Sequence, residues 1–250
     1  MTATLYVVNG SHPCAAVERA LQIKGMPYKI VEFPPPMHMA AMKLLFGQRT
    51  VPGLKLDGGE KITGSRAILR RLDELQPEPA LLPADPAERA KVEEAEAWGD
   101  DVLQGLVRRV LWPMAKANPA ALGSFSQGSK LPAIPVPVLK VIAPVVTRIE
   151  MKANDATDTT YPEDLRRLPE MLDKVDGWIA EGVLGGEQPN AADLQIATGL
   201  ALLMALGDLR PMIEPRPAGQ LAQRLFPDYP GDVPAGAIPA EFLPATPAAA

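Results

Sequence analysis

The chain has 250 residues, 47% of them apolar, with 25 basic against 30 acidic side chains and a net charge of −5. This supplies enough apolar material for one large core or two smaller ones, and without a basic run to track phosphates, nucleic acid is excluded as an expected partner. Met1–Tyr6 carries no charged leader, no stretch reaches ~18 uninterrupted apolar residues, and the lone Cys14 leaves no internal disulfide, so the sequence reads as a soluble, cytoplasmic protein with no membrane span.

Residues 1–76 read as a βαβ-α-ββα unit. A strand over Leu5–Val8 breaks at Asn9-Gly10-Ser11, and Cys14, Val17 and Leu21 then fall on one face of a helix that stops at Gly25. Tyr28, Ile30 and Val31 form a second strand, ended by Pro34-Pro35-Pro36, which cannot continue a ladder. A short helix rich in methionine follows. Leu54–Leu56 and Lys61–Ile62 flank Asp57-Gly58-Gly59 as a hairpin, and Ala67–Leu75 closes the unit as a helix.

Residues 77–86 are proline-rich and read as a linker, and 87–230 as an all-α domain. Long helices are predicted over Ala87–Trp112, Pro162–Glu181 and Ala191–Leu206, the last apolar on nearly every side, as expected of a bundle core. Asn190 and Asp193 have the spacing of a capping box, a folding role. An apolar insert at about 113–161 contains Leu131–Val146. Its prolines forfeit the backbone bonds a membrane span needs, so it reads as a flap or short helix over the cleft between domains. Residues 231–250 form a Pro- and Ala-rich tail whose end is expected to be mobile.

Two short motifs carry the functional reading. Val51-Pro52 opens a strand, and an X-Pro bond reaches cis at a cost of only ~0.5–1 kcal/mol, exposing backbone groups to an extended peptide. Twelve residues on, Gly64-Ser65-Arg66 starts a helix whose free N–H groups suit a carboxylate. With the Ser11-His12-Pro13-Cys14 turn between strand and helix, and Leu184–Asp193 further on, the chain resembles the glutathione transferase superfamily from Leu5 to about Phe226. The resemblance implies an α/β plus all-α protein, with a thioredoxin-like domain followed by a helical bundle, and a cytosolic assembly of two copies, a homodimer.

The resemblance also implies site residues. Val51 and Pro52 correspond to the cis-proline site that pairs with the backbone of a bound thiol tripeptide, and Ser65 to the serine that holds its γ-glutamyl carboxylate. Ser11 is the candidate catalytic residue, its hydroxyl stabilising a thiolate; a plain helix cap is the alternative. Gly64 stands where relatives carry Glu or Gln, Arg66 could meet the same carboxylate, and Lys43 and Arg49 precede the proline where relatives hold the glycine carboxylate. Cys14, second in a C-x-x-C-like site lacking its first cysteine, is expected to be buried, with a monothiol reductase as the sharper reading. His12 is a possible base or anion ligand, and otherwise an exposed turn histidine. Met37-His38-Met39 and Met42 offer one imidazole and thioethers, a poor set for zinc, so no metal is expected. The function implied is conjugation of glutathione or another low-molecular-weight thiol to a small apolar electrophile, against a glutaredoxin-like reductase using Cys14 or a non-catalytic binding protein.

Overall fold

The computed structural model describes residues 2–244. Strand β1 (Ala3–Val7) lies between β2 (Tyr28–Glu32), which runs parallel to it, and β3 (Gly53–Leu56), which runs antiparallel; β4 (Lys61–Thr63) completes the order β2-β1-β3-β4. Register pairs Leu5 with Ile30 on one side and with Leu54 on the other. The alternation of β1 puts Ala3, Leu5 and Val7 in the core. That core is shared with Val17, Ala20 and Leu21 of α1 (His12–Ile23) and Ile68, Leu69 and Leu72 of α3 (Ser65–Leu75). Tyr6 points the other way and meets Phe33 and Phe46, the latter in α2 (Met37–Phe46), edge on at 5.1 Å. A Cβ on Gly53 would lie 2.6 Å from the Met42 Cε and 2.9 Å from the Phe46 Cζ, so glycine lets β3 pass beneath that helix without displacing either side chain.

The segment after α3 is held rather than free. The buried Lys24 ammonium donates to Asp73 and to the carbonyls of Gln76 and Pro79, each at 2.6 Å, while Leu81 N–H bonds Asp73 at 2.7 Å. Leu81 and Leu82 are buried and Leu81 accepts from the Ala191 amide at 2.8 Å, so the predicted linker is a structural joint between the domains.

The predicted helix over Ala87–Trp112 is two helices joined in line: α4 (Pro86–Trp98), a π turn at Gly99–Leu103, and α5 (Gln104–Ala117). Gly99 allows close approach, since a Cβ there would sit 2.9 Å from Ile196. Pro113 does not end the helix as its lack of an N–H led one to expect. The following turn carries Met114 and Ala115 into the core, and that burial offsets the missing bond.

The insert is also longer in its helix than expected. A 3-10 segment at Pro119–Ser126 leads through an extended stretch into α6 (Val136–Ala153), 18 residues long with Pro144 inside it. Beyond it come α7 (Thr160–Ala180), α8 (Ala191–Met204), the short α9 (Arg210–Ile213) and α10 (Pro217–Leu225). Every residue of α8 is buried, and it packs on α1 and α3 as well as on α4, α5 and α10. One helix thus carries the core across both domains. Asn190 and Asp193 form the reciprocal capping box at its start.

The predicted tail begins later than 231. Val233 and Ile238 are buried, Val233 N–H bonds the Ala205 carbonyl at 2.8 Å, and the Asp208 carboxylate accepts from the amides of Gly236, Ala237 and Ile238. Its end, 245–250, lies outside the described residues.

Candidate functional site

The turn that ends β1 is clamped from the second domain. Asn9 Nδ2 donates to the carbonyls of Phe125 at 2.6 Å and Gln127 at 2.9 Å, and the Tyr229 hydroxyl donates to the Gly10 carbonyl at 2.6 Å. Gly10 has φ +73°, and Phe125 packs where its Cβ would be. Ser129 Oγ and Lys130 N–H both bond the Glu32 carboxylate at the end of β2. The insert is therefore fastened to the sheet end on both sides of Ser11.

Ser11 is the N-cap residue of α1 in extended conformation, but its side chain accepts no bond from the helix amides. The hydroxyl is left at a positive helix terminus without a capping duty. Ser11 lines a cavity of about 580 Å³ between the domains, within the usual range for a small-molecule site, and also the smaller cavity beside Cys14, whose thiol its hydroxyl meets. Opposite stand Val51 and Arg49, and the roof is the insert: Leu131, Ile134, Leu139, Ile142 and Val146. Val51–Pro52 is cis.

His12 is not an exposed turn residue; it is 2% exposed at the first position of α1 and lines this cavity. The turn motif carries no sign of this, because residues that share the cavity with it, such as Arg108 and Leu139, lie about a hundred positions or more away. Burial, with the nearby Arg108 guanidinium adding to it, holds His12 well below the usual imidazole range, so it is neutral near pH 7. His38 lines the same cavity and is lowered by burial as well. Arg108 itself, from α5, donates among the described residues only to Gln104 Oε1, at 3.3 Å; burial lowers it from the usual arginine value. Arginine stays cationic regardless.

Cys14 is 4% exposed, at the wall of a second cavity of about 460 Å³ shared with Glu18, Tyr28 and Tyr229. Burial pushes its thiol up to about 12, with the Ser11 hydroxyl and the Val8 backbone opposing the rise. Against an ordinary thiol near ~8.5, this leaves roughly a thousandfold less thiolate. Cys14 is expected to alkylate correspondingly slowly at pH 8, and Cys14→Ser to keep most of any thiol-transfer activity; rapid labelling by iodoacetamide would contradict this.

The second motif sits differently from the first. Gly64 N–H donates to the Pro52 carbonyl at 3.2 Å, so the hairpin brings the two motifs together. The Ser65 hydroxyl, however, is turned into the domain interface. It donates to Gln195 Oε1 at 3.1 Å and accepts from Gln104 Nε2 at 3.3 Å, and the residue is 2% exposed. What α3 leaves for a carboxylate is its first backbone amides, which have no partner within a helix. Pro52, Gly64, Ser65 and Arg66 do not line the large cavity. Arg66 lies 3.7 Å from Glu96, and the exposed Lys43 donates to the Gly47 carbonyl at 2.8 Å, closing α2.

Gly64 has φ +85° with open space around it. The left-handed backbone is the reason for glycine here, and a glutamate in its place would be strained rather than helpful. Gly64→Ala is expected to cost ~1–2 kcal/mol, read by chemical denaturation, with no clash to add to it.

Glu150, on α6, is the residue with the clearest perturbation that sequence reading missed. It is 4% exposed and lines the cavity, and burial, partly offset by the Asn154 side chain, raises its carboxyl from the ordinary 4.5 to about 7. Below about 4.5 folded and unfolded chains both hold the proton; between about 4.5 and about 7 only the folded chain does. Stability therefore falls as pH rises through that window and levels off above it. Glu150→Leu is expected to melt higher than the parent at pH 8, by up to ~3 kcal/mol, and equally at pH 4. An apolar face at every third or fourth position, broken by one carboxylate, was the signal available for it.

Among the described residues no cluster of three or more His, Cys, Asp or Glu could hold a metal ion, and no helix is long and apolar enough to cross a membrane. The fold and the cleft define a two-domain protein with a thioredoxin-like half and a helical half. Residues 5–80 match the family described as glutathione S-transferase, N-terminal domain. A crystal structure of a glutathione transferase homologue from Sulfitobacter with bound glutathione superposes with a TM-score of 0.60, covering 90% of this chain and 92% of that one at 18% identity. Residues 5–80 thus match a glutathione S-transferase N-terminal domain, and the chain as a whole has the glutathione transferase fold. Among curated proteins it is similar to a probable maleylacetoacetate isomerase of Drosophila melanogaster, 52% identical over 44 residues that make up 18% of each chain. It is also similar to the maleylacetoacetate isomerase of Pseudomonas aeruginosa, 35% identical over 96 residues, covering 35% of this chain and 43% of that one. The matched stretches thus span less than half the length of these curated relatives.

Proposed function

We propose that this protein is a glutathione-dependent transferase that joins the thiol to a small electrophile in the cleft. The observation that carries the reading is Ser11, whose hydroxyl caps no helix amide, at the start of a 12-residue helix and among the residues lining the interdomain cavity. A thiolate there would gain one hydroxyl donor and the positive end of α1, which together lower a thiol by the one to two units that raise its reactive fraction tenfold or more. Val51 offers backbone groups to the thiol from the opposite side, and the α3 amides a place for its carboxylate. The relative solved with bound glutathione supports that thiol as the co-substrate. The apolar roof supports an electrophile of largely apolar body.

A second reading is a glutathione-dependent isomerase, favoured by the names of the two curated relatives. Such an enzyme would use the same thiolate but release it. The Cys14 reductase is disfavoured by the depth of its thiol. A homodimer remains the expected assembly, and the exposed Met37 and Leu44 of α2 are apolar surface for it.

Calorimetric titration with glutathione, followed by the ultraviolet absorbance of bound thiolate, tests the reading. A saturable thiolate signal at neutral pH is expected. Binding without thiolate would favour the non-catalytic member, and product analysis separates conjugation from isomerisation.

A further inference from the structure

One face of α6 looks into the cleft. Leu139, Ile142, Ala143, Val146, Glu150 and Ala153 follow one another at steps of one to four residues and all line the cavity. Glu150 alone among them ionises. One of its carboxyl oxygens, Oε1, has no hydrogen-bond partner, and no cation contributes to its titration. Two further orphaned buried atoms, His12 Nε2 and His38 Nδ1, belong to residues of the same cavity. Buried polar atoms are ordinarily paired, so a wall holding three of them fits a ligand that carries donors and acceptors of its own, on an otherwise apolar body.

The neighbours of Glu150 are accounted for. The 3-10 segment Pro119–Ser126 packed against α6 contains no ionisable side chain. On α5, Arg108 lines the cleft, Arg109 is paired with Asp164 at 2.5 Å, and Lys116 is exposed. Across the cleft stand Glu32, Arg49 and the two histidines.

Resting on the transferase reading, we propose that Glu150 is a further catalytic residue, the proton donor to the oxyanion formed when the bound thiolate adds to a conjugated carbonyl substrate. The thiolate electron pair makes the new C–S bond at the β carbon, and the C=C pair moves onto the carbonyl oxygen as an enolate. Glu150 gives that oxygen its proton, the enol tautomerises, and the carboxylate regains a proton from water. The net change is addition of S–H across C=C, with nothing oxidised or reduced. A carboxyl that stays protonated to about pH 7 is suited to this task. Displacement of a halide needs no such donor, since the leaving group departs as a stable anion. The site is therefore a conjugate-addition site first.

The test compares full-length parent, Glu150→Gln and Glu150→Leu, with glutathione as thiol and benzylideneacetone or benzyl chloride as electrophile. The ratio of enone to chloride turnover is expected to fall about a hundredfold in both variants, the low end of general acid catalysis. The parent should also lose enone turnover as pH rises through about 7, and Glu150→Gln should not. Should the isosteric variant fold poorly, Glu150→Leu, which removes a buried carboxyl, carries the ratio and the parent carries the pH profile. A ratio within about twofold of the parent in a folded variant, or a parent profile flat through that range, overturns the role. Absence of bound thiolate in the parent would instead overturn the transferase reading beneath it.

Discussion

Ser11→Ala is expected to lower turnover with glutathione by roughly 10- to 100-fold, the effect of losing ~1.4–2.7 kcal/mol of thiolate stabilisation. The sequence left two duties open for this hydroxyl, and the structure separates what each predicts. A capping serine would cost ~1 kcal/mol on removal, but the Ser11 side chain accepts from no amide of α1, its one partner there being the Cys14 thiol. The turn itself is held by Asn9, by Tyr229 and by the left-handed Gly10, none of which depends on the hydroxyl. The melting temperature should therefore move by no more than ~1–2 °C, while the thiol bound to the variant titrates one to two units higher. Turnover unchanged in a variant that melts like the parent would remove Ser11 from the chemistry. A large drop in melting temperature with equal thiolate signal would return it to a structural duty.

Local chemistry explains which parts of this architecture could be read from sequence. The alternation Ala3, Leu5, Val7 and the uniformly apolar α8 are statements about one element each, and they survive in the fold. The same holds for Asn190 and Asp193, three residues apart. What could not be read depends on partners distant in sequence. Ser65 has its hydroxyl taken by Gln195, 130 residues away, and His12 shares its cavity with residues of the insert and α5. Glu32 is bound by Ser129 and Lys130 across almost a hundred positions. A motif gives a backbone position reliably because turn chemistry is local, whereas the direction of its side chain is settled by whatever packs against it. Gly64 shows both halves of this. Its place before the helix was legible, and its reason, a φ of +85°, was not.

Asp193→Ala is expected to be the most damaging single change to stability, at about 3–4 kcal/mol. One carboxylate oxygen accepts from the Gly185 amide at 2.8 Å and the other from the Asn190 amide at 2.9 Å, while Asn190 Oδ1 accepts from the Asp193 amide at 3.0 Å. Hydrogen bonds to a charged group contribute ~1.5–3 kcal/mol, and their loss inside the protein orphans the donors. Asp193 is fully buried at the head of α8, the helix that both domains pack against, so water cannot replace the carboxylate without opening the core. Burial raises the Asp193 carboxyl while the Asn190 and Gly185 amides lower it, a balance that exists only while those bonds are made. At ~2–4 °C per kcal/mol for a chain of this size, the variant should melt roughly 6–16 °C below the parent. Asp193→Asn keeps one acceptor and sets an amide donor against the other N–H, so it should fall between the two. Equal melting of the alanine and asparagine variants would assign the effect to lost charge alone, and melting of the alanine variant within ~2 °C of the parent would show that the loop at Gly185 and the start of α8 hold together without this carboxylate.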